Sequence, residues 1–134
     1  MGFRSRAHPA WNMGHYSELK AWRAAHELAV GVYRVTGEWD PRERSGLTAQ
    51  VRRAAFSVPV NVVEGSRRRG RREFRRFLDV ALASLAEVEY TVKFAAEVGV
   101  ARVEQIAGMQ SLIDETGRLC FGLARSLDRP VAAP

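Results

Sequence analysis

Between Phe74 and Ala95 the chain places Leu78, Ala81, Leu85, Val88 and Val92 at alternating steps of four and three, without a break. That rhythm fits one face of an α-helix whose apolar seam packs against other helices in a left-handed bundle, and no β-strand can present it. A chain built on such a helix must supply further apolar faces to cover it. Leu19, Trp22, Ala25, Ala29, Val32, Tyr33 and Thr36 give one upstream, between an N-cap at Ser17 and a stop at Gly37. Val103, Ile106, Met109, Ile113, Thr116, Cys120, Leu123 and Leu127 give another downstream, after a turn at Gly99.

The remaining apolar segment starts at Asp40 and Pro41, a capping residue followed by proline at a first helical position, and runs to Gly65 with Gly46 as a local weakness. Pro59 predicts a kink inside it. Residues 66–70, SRRRG, link it to the third helix. Short connections and four apolar faces predict an all-α, antiparallel, up-down-up-down four-helix bundle over residues 17–128. A flexible basic tail is expected at 1–16 and a second tail at 129–134.

The second helix is unusual. At about 100° per residue, Val51, Ala55, Val58 and Val62 share one face, whereas Phe56, Val60 and Val63 fall on another. A polar stripe of Gln50, Arg53, Ser57, Asn61 and Glu64 runs between them. A lone bundle needs one apolar stripe per helix, so the second predicts a neighbouring subunit, with Phe56, Val60 and Val63 in the oligomer interface. The polar stripe is expected at or near that interface as a hydrogen-bonded network fixing register.

Charge is informative through its placement. The net charge is +6, and 19 of the 21 basic residues are arginines. Residues 47–76 hold nine basic and two acidic groups, while residues 77–134 hold five and eight. Arg52, Arg67, Arg68, Arg69, Arg71, Arg72, Arg75 and Arg76 are therefore the candidate nucleic-acid contacts, since guanidinium groups bind phosphates bidentately and stay charged at any biological pH. Such contacts would be made mainly to the backbone, hence weakly sequence-specific and steeply salt-dependent.

Catalytic patterns are missing from the sequence. None of His8, His15 and His26 follows a glutamate by three residues, as a di-iron bundle requires. Glu87 and Glu89 stand two apart on a helix and should face different ways. Cys120 lies on the core stripe, where a thiol is inert packing, and a single cysteine makes neither a disulfide nor a cysteine zinc site. The expectation is a non-enzyme without cofactor or metal. No apolar run is long enough for a signal peptide or a membrane span, which points to the cytoplasm.

QVRRA (50–54), SVPVNVVEG (57–65), EFRRFLDVALASLAEVE (73–89) and ELKAWRAAHELAVGVY (18–33) make the chain similar to a bacterial four-helix-bundle family, the rRNA intervening-sequence proteins. The resemblance spans roughly residues 16–127, and its most specific piece is Asn61, Glu64 and Gly65 downstream of Gln50 and Arg53. It implies a homopentamer with a basic surface. It also implies kinship with accessory proteins of diversity-generating retroelements, which bind a reverse transcriptase and nucleic acid. Where the family often has serine at the start of the third helix this chain has Gly70. Two partner classes follow besides self: RNA or DNA, or an acidic protein such as a reverse transcriptase without nucleic-acid contact.

Overall fold

The computed structural model describes Tyr16 and residues 19–130. Four helices make up the molecule: α1 (Lys20–Thr36), α2 (Leu47–Ser66), α3 (Arg71–Glu97) and α4 (Val103–Asp128). They form a square in which α2 packs between α1 and α3, and α4 closes the figure against α3 and α1. The core is the set of side chains that the apolar periodicities assign to it. Leu28 and Val32 of α1, Val51, Val58 and Val62 of α2, Leu78, Val88 and Val92 of α3, and Met109 and Cys120 of α4 are all fully buried. Burying a branched side chain of this size stabilises by about 1.5–3 kcal/mol, so the shared core is what makes the four amphipathic helices one unit.

Polar bonds fix how the helices sit along one another. Ser57 Oγ and Ser84 Oγ share a hydrogen bond at 2.8 Å. Seven residues back along α2, Gln50 donates to Glu87, three residues forward along α3. At one end of the square, Arg52 near the start of α2 reaches the last turn of α1. At the other, Arg71 opens α3 and meets the last carbonyls of α4.

Several local expectations change. Asp40 and Pro41 do act as a cap and a first-turn proline, with the Asp40 carboxylate accepting from the Arg42 N–H at 2.8 Å. They open only a short 3₁₀ turn, Pro41–Glu43, and α2 begins afresh after Gly46. Gly37 does end α1, in a right-handed conformation with φ of −61°. Val103, assigned to the inner face of the last helix, is 76 % exposed because it is that helix's first residue, beyond the reach of the core. Trp39 covers the end of the bundle and is buried. Ser17 and the expected N-terminal tail up to residue 15 lie outside the described residues, as do residues 131–134 of the C-terminal one.

Candidate nucleic-acid interface

The turn joining α2 to α3 is dictated by two glycines. Gly70 precedes α3 with φ of +84°, a conformation that L side chains rarely adopt, so the serine common in the resembling family would be strained here. Gly65, in the last turn of α2, is buried against α3: a Cβ there would stand 2.8 Å from both Phe74 Cδ1 and Phe77 Cβ. Close approach of the two helices brings Arg67, Arg68, Arg69, Arg71, Arg72, Arg75 and Arg76 to one end of the bundle.

These arginines divide by what they touch. Arg71 Nε donates to the Leu127 carbonyl at 3.1 Å, and its Nη2 donates to the carbonyls of Ser126 and Arg129. A cation there satisfies acceptors that an α-helix leaves open at its C-terminus. Arg75 is held by Asp79 and Asp128. Arg76 pairs with Glu73 and lies over the Phe77 ring, which Arg68 also approaches, at 5.0 Å from the centroid. Arg69 makes no hydrogen bond or ion pair with another described residue, and Arg68 and Arg72 are exposed beside it. The Arg76 hydrogen bond first, then the charges of Arg76, Arg68 and Arg72, hold the Glu73 carboxyl below the usual carboxylate range.

Arg52 does not join them. Fifteen residues of α2 separate it from Arg67, about 22 Å along the helix axis. Its Nε donates to Thr36 Oγ1 at 2.8 Å, its Nη2 donates to the Tyr33 carbonyl, and it stacks on the Tyr33 ring. It closes α1 as Arg71 closes α4.

Groups distant in sequence reinforce the basic end. Lys20 and Arg23 open α1, and Arg125 and Arg129 finish α4, at the same end of the square. Cut across its middle, the described bundle carries twelve basic and five acidic residues in this half (19–28, 57–84 and 116–129), against seven and nine in the other (29–56 and 85–115). Counting charges along the chain misses this convergence, because helix pairing creates it.

The polar stripe of α2 splits. Gln50 faces Glu87, and Ser57 bonds both Ser84 and Asn61. Arg53 and Glu64 stay exposed on the outer side without a hydrogen bond to another described residue. Beside them Phe56 is 60 % exposed, and Val60 and Val63 are half-buried. With Val30, Tyr33 and His26 of α1 they line an open, mostly apolar groove of about 870 Å³. A second apolar stripe went unread in the sequence: Val80, Tyr90 and Phe94 of α3 and Val98 just after it are all exposed. Its signal is the spacing 80, 83, 87, 90, 94, 98, diluted by Glu87.

Glu87 meets Gln50 of α2 while Glu89 meets Gln110 of α4, so the two carboxylates face different neighbours. Burial pushes the Cys120 thiol up to about 11, leaving no nucleophilic thiolate at neutral pH. No group of three metal-ligating side chains occurs among the described residues. No described helix is long and apolar enough to cross a membrane.

Comparison with known proteins agrees with the sequence motifs. No match is found among curated proteins. The family described as 23S rRNA-intervening sequence protein matches residues 17–122, which takes in α1, α2, α3 and most of α4. The motifs quoted from the sequence all lie inside that match, and the structure folds it as four packed helices, so the chain belongs to the 23S rRNA-intervening sequence protein family.

Proposed function

We propose that this protein is a self-associating, non-catalytic scaffold that grips the phosphate backbone of RNA or DNA with the arginine end of its bundle. The observation that carries the reading is the surplus of guanidinium groups where α2 meets α3. Arg71 and Arg75 are spent on holding that end together, and Arg68, Arg69 and Arg72 remain exposed on it. Exposed guanidinium forks on a fixed turn contact phosphate oxygens bidentately and release counterions, which makes binding strong at low salt and indifferent to sequence. Self-association repeats the patch and raises avidity without new contacts. The apolar groove beside Phe56 supports that part of the proposal. The family description names an intervening sequence of 23S rRNA, so structured RNA is the first polyanion to test.

Filter binding of the full chain to RNA and to duplex DNA across a salt series tests it. Both should be retained at low salt and released steeply as salt rises. Replacing Arg68, Arg69 and Arg72 together with alanine should lower the slope of log affinity against log salt by about 2 to 3. If neither nucleic acid binds at low salt, the reading fails, and an acidic protein partner such as a reverse transcriptase takes its place.

A further inference from the structure

Packing uses every large apolar side chain in the second half of α4 except Phe121, which is 52 % exposed. Arg118, Phe121, Arg125 and Arg129 follow one another at steps of three, four and four, within about 80° of arc, so this ring sits in a row of guanidinium groups. Gly122 beside it presents no side chain, and a Cβ there would meet nothing within 4 Å. The Arg125 guanidinium lies over the ring at 6.0 Å from its centroid, the outer limit of such a contact, which leaves the ring open to a further partner. Arg125 and Arg129 are exposed and make no ion pair with another described residue. The acids around them are already engaged: Arg118 takes Glu115, Arg75 takes Asp79 and Asp128, and Asp114 accepts from Gln110. The row leads to the arginine end, since Arg71 at the start of α3 bonds the Arg129 carbonyl.

We infer that Phe121 is a stacking platform for an unpaired base, so that the polyanion gripped at the arginine end is a single strand, or the loop of a structured RNA, whose backbone continues onto Arg129 and Arg125. This rests on the phosphate binding proposed above and adds a contact that phosphates cannot make. An aromatic face flanked by cations suits a strand without base pairs: the ring takes the base, and the guanidinium groups take the phosphates on either side. Bases inside a duplex are stacked on one another and cannot reach a ring on the convex side of a helix. A protein partner fits the place less well, because docking of that kind needs a contiguous apolar patch. The other exposed large apolar side chain of α4 is Val103, eighteen residues away, about 27 Å along the axis. Phe77 cannot share the role, being buried beneath Arg68 and Arg76.

Filter binding of the full chain compares a single-stranded oligonucleotide free of self-pairing, the same strand carrying abasic sites, and the corresponding duplex. Phe121→Ala should weaken single-strand binding by at least about fivefold while leaving the slope of log affinity against log salt unchanged, because no charge is lost. Its duplex binding should stay within about twofold of the wild type, since phosphate contacts alone hold the duplex. Phe121→Tyr should keep the single-strand affinity, whereas Phe121→Leu, apolar but without a π-face, should match the alanine variant. The abasic strand should bind the wild type no better than the intact strand binds Phe121→Ala. Circular dichroism checks that each variant stays folded, and sedimentation checks its mass. Equal losses for single strand and duplex, a leucine variant as good as the wild type, or a change of mass on Phe121→Ala, which would make the ring a protein contact, each overturn the stack. If the wild type and Phe121→Ala bind both forms alike, the stack fails and phosphate binding stands; if the wild type binds neither, both fail.

Discussion

The two ends of this bundle are built from the same materials and treat charge in opposite ways. At the end around residues 37–46, Arg42 pairs with Asp40, Arg102 with Glu38, and Arg52 closes α1, so three of its cations are spent near where they stand. At the end around residues 65–76, Arg71, Arg75 and Arg76 are similarly engaged, yet further arginines remain exposed with few acids to meet them. Chain closure requires only a handful of guanidinium groups. Arg69 and Arg72 add exposed charge at this end beyond what these contacts use, and this is why the functional proposal is placed there.

Glycine substitutions should break the symmetry of the two ends most sharply. Gly65→Ala puts a methyl 2.8 Å from the Phe77 Cβ, an atom tied to the α3 backbone, so α2 and α3 must part. Overpacking of this kind costs about 1–3 kcal/mol. At the other end Gly37 has an ordinary right-handed φ of −61°, and its added Cβ would meet the carbonyl oxygens of Arg34 at 3.3 Å and Tyr33 at 3.6 Å, both within its own helix. Gly37→Ala should therefore change stability by no more than about 0.5 kcal/mol, helped by the reduced freedom of the unfolded chain. Urea unfolding of both variants checks the contrast. Equal losses would mean that the tight approach of α2 and α3 is no special feature of the arginine end.

The fold was legible because the α3 seam is uninterrupted and each other helix supplies one apolar face that fits it. Helix starts were less so: Asp40 and Pro41 carry every sequence mark of a helix opening, but Gly46 resets the backbone before α2 proper. The candidate site was legible as a count of arginines and illegible as a division of labour. Nothing in RRRGRREFRR tells that Arg71 bonds carbonyls 55 to 58 residues downstream, or that Arg75 meets Asp128, since those partners depend on which helix ends come together. Arg52, placed in the same group by composition, belongs to the other end for the same reason. The α3 stripe escaped notice because a face half charged and half apolar scores as neither.

Arg71 and Arg52 offer a matched comparison of intermediate size. Each caps a helix C-terminus with one guanidinium, and each substitution to alanine should cost about 1 kcal/mol, or roughly 3–5 °C in midpoint for a chain this long. The fork matters as much as the charge, because Arg71 donates from two nitrogens to three carbonyls. Arg71→Lys should recover only part of the loss. Binding assays separate the two positions further. Arg71→Ala lowers polyanion affinity by removing a charge at the arginine end, whereas Arg52→Ala leaves it unchanged while destabilising the fold equally. If Arg52→Ala weakened binding as much, the basic end would not be the binding end.

The smallest effect belongs to acid, and it should appear first at the charge-balanced end. The Arg42 side chain, with the Arg42 N–H, holds the Asp40 carboxyl down at about 2 against an ordinary 3.8. A carboxyl depressed in the folded state contributes stability above its unfolded value and loses it as pH falls from about 4 through about 2. Asp40 is exposed, so solvent screens the pair and the contribution is slight, smaller than that of either capping arginine. Asp40→Asn keeps the acceptor for the Arg42 N–H but not the charge. Thermal midpoints of the wild type and this variant should therefore differ at pH 7, with the wild type higher, and the gap should narrow as pH falls from about 4 to about 2. A gap that persists undiminished at pH 2 would show that the difference does not come from the carboxylate's charge, and that pairing of charge at this end is incidental to how it is built.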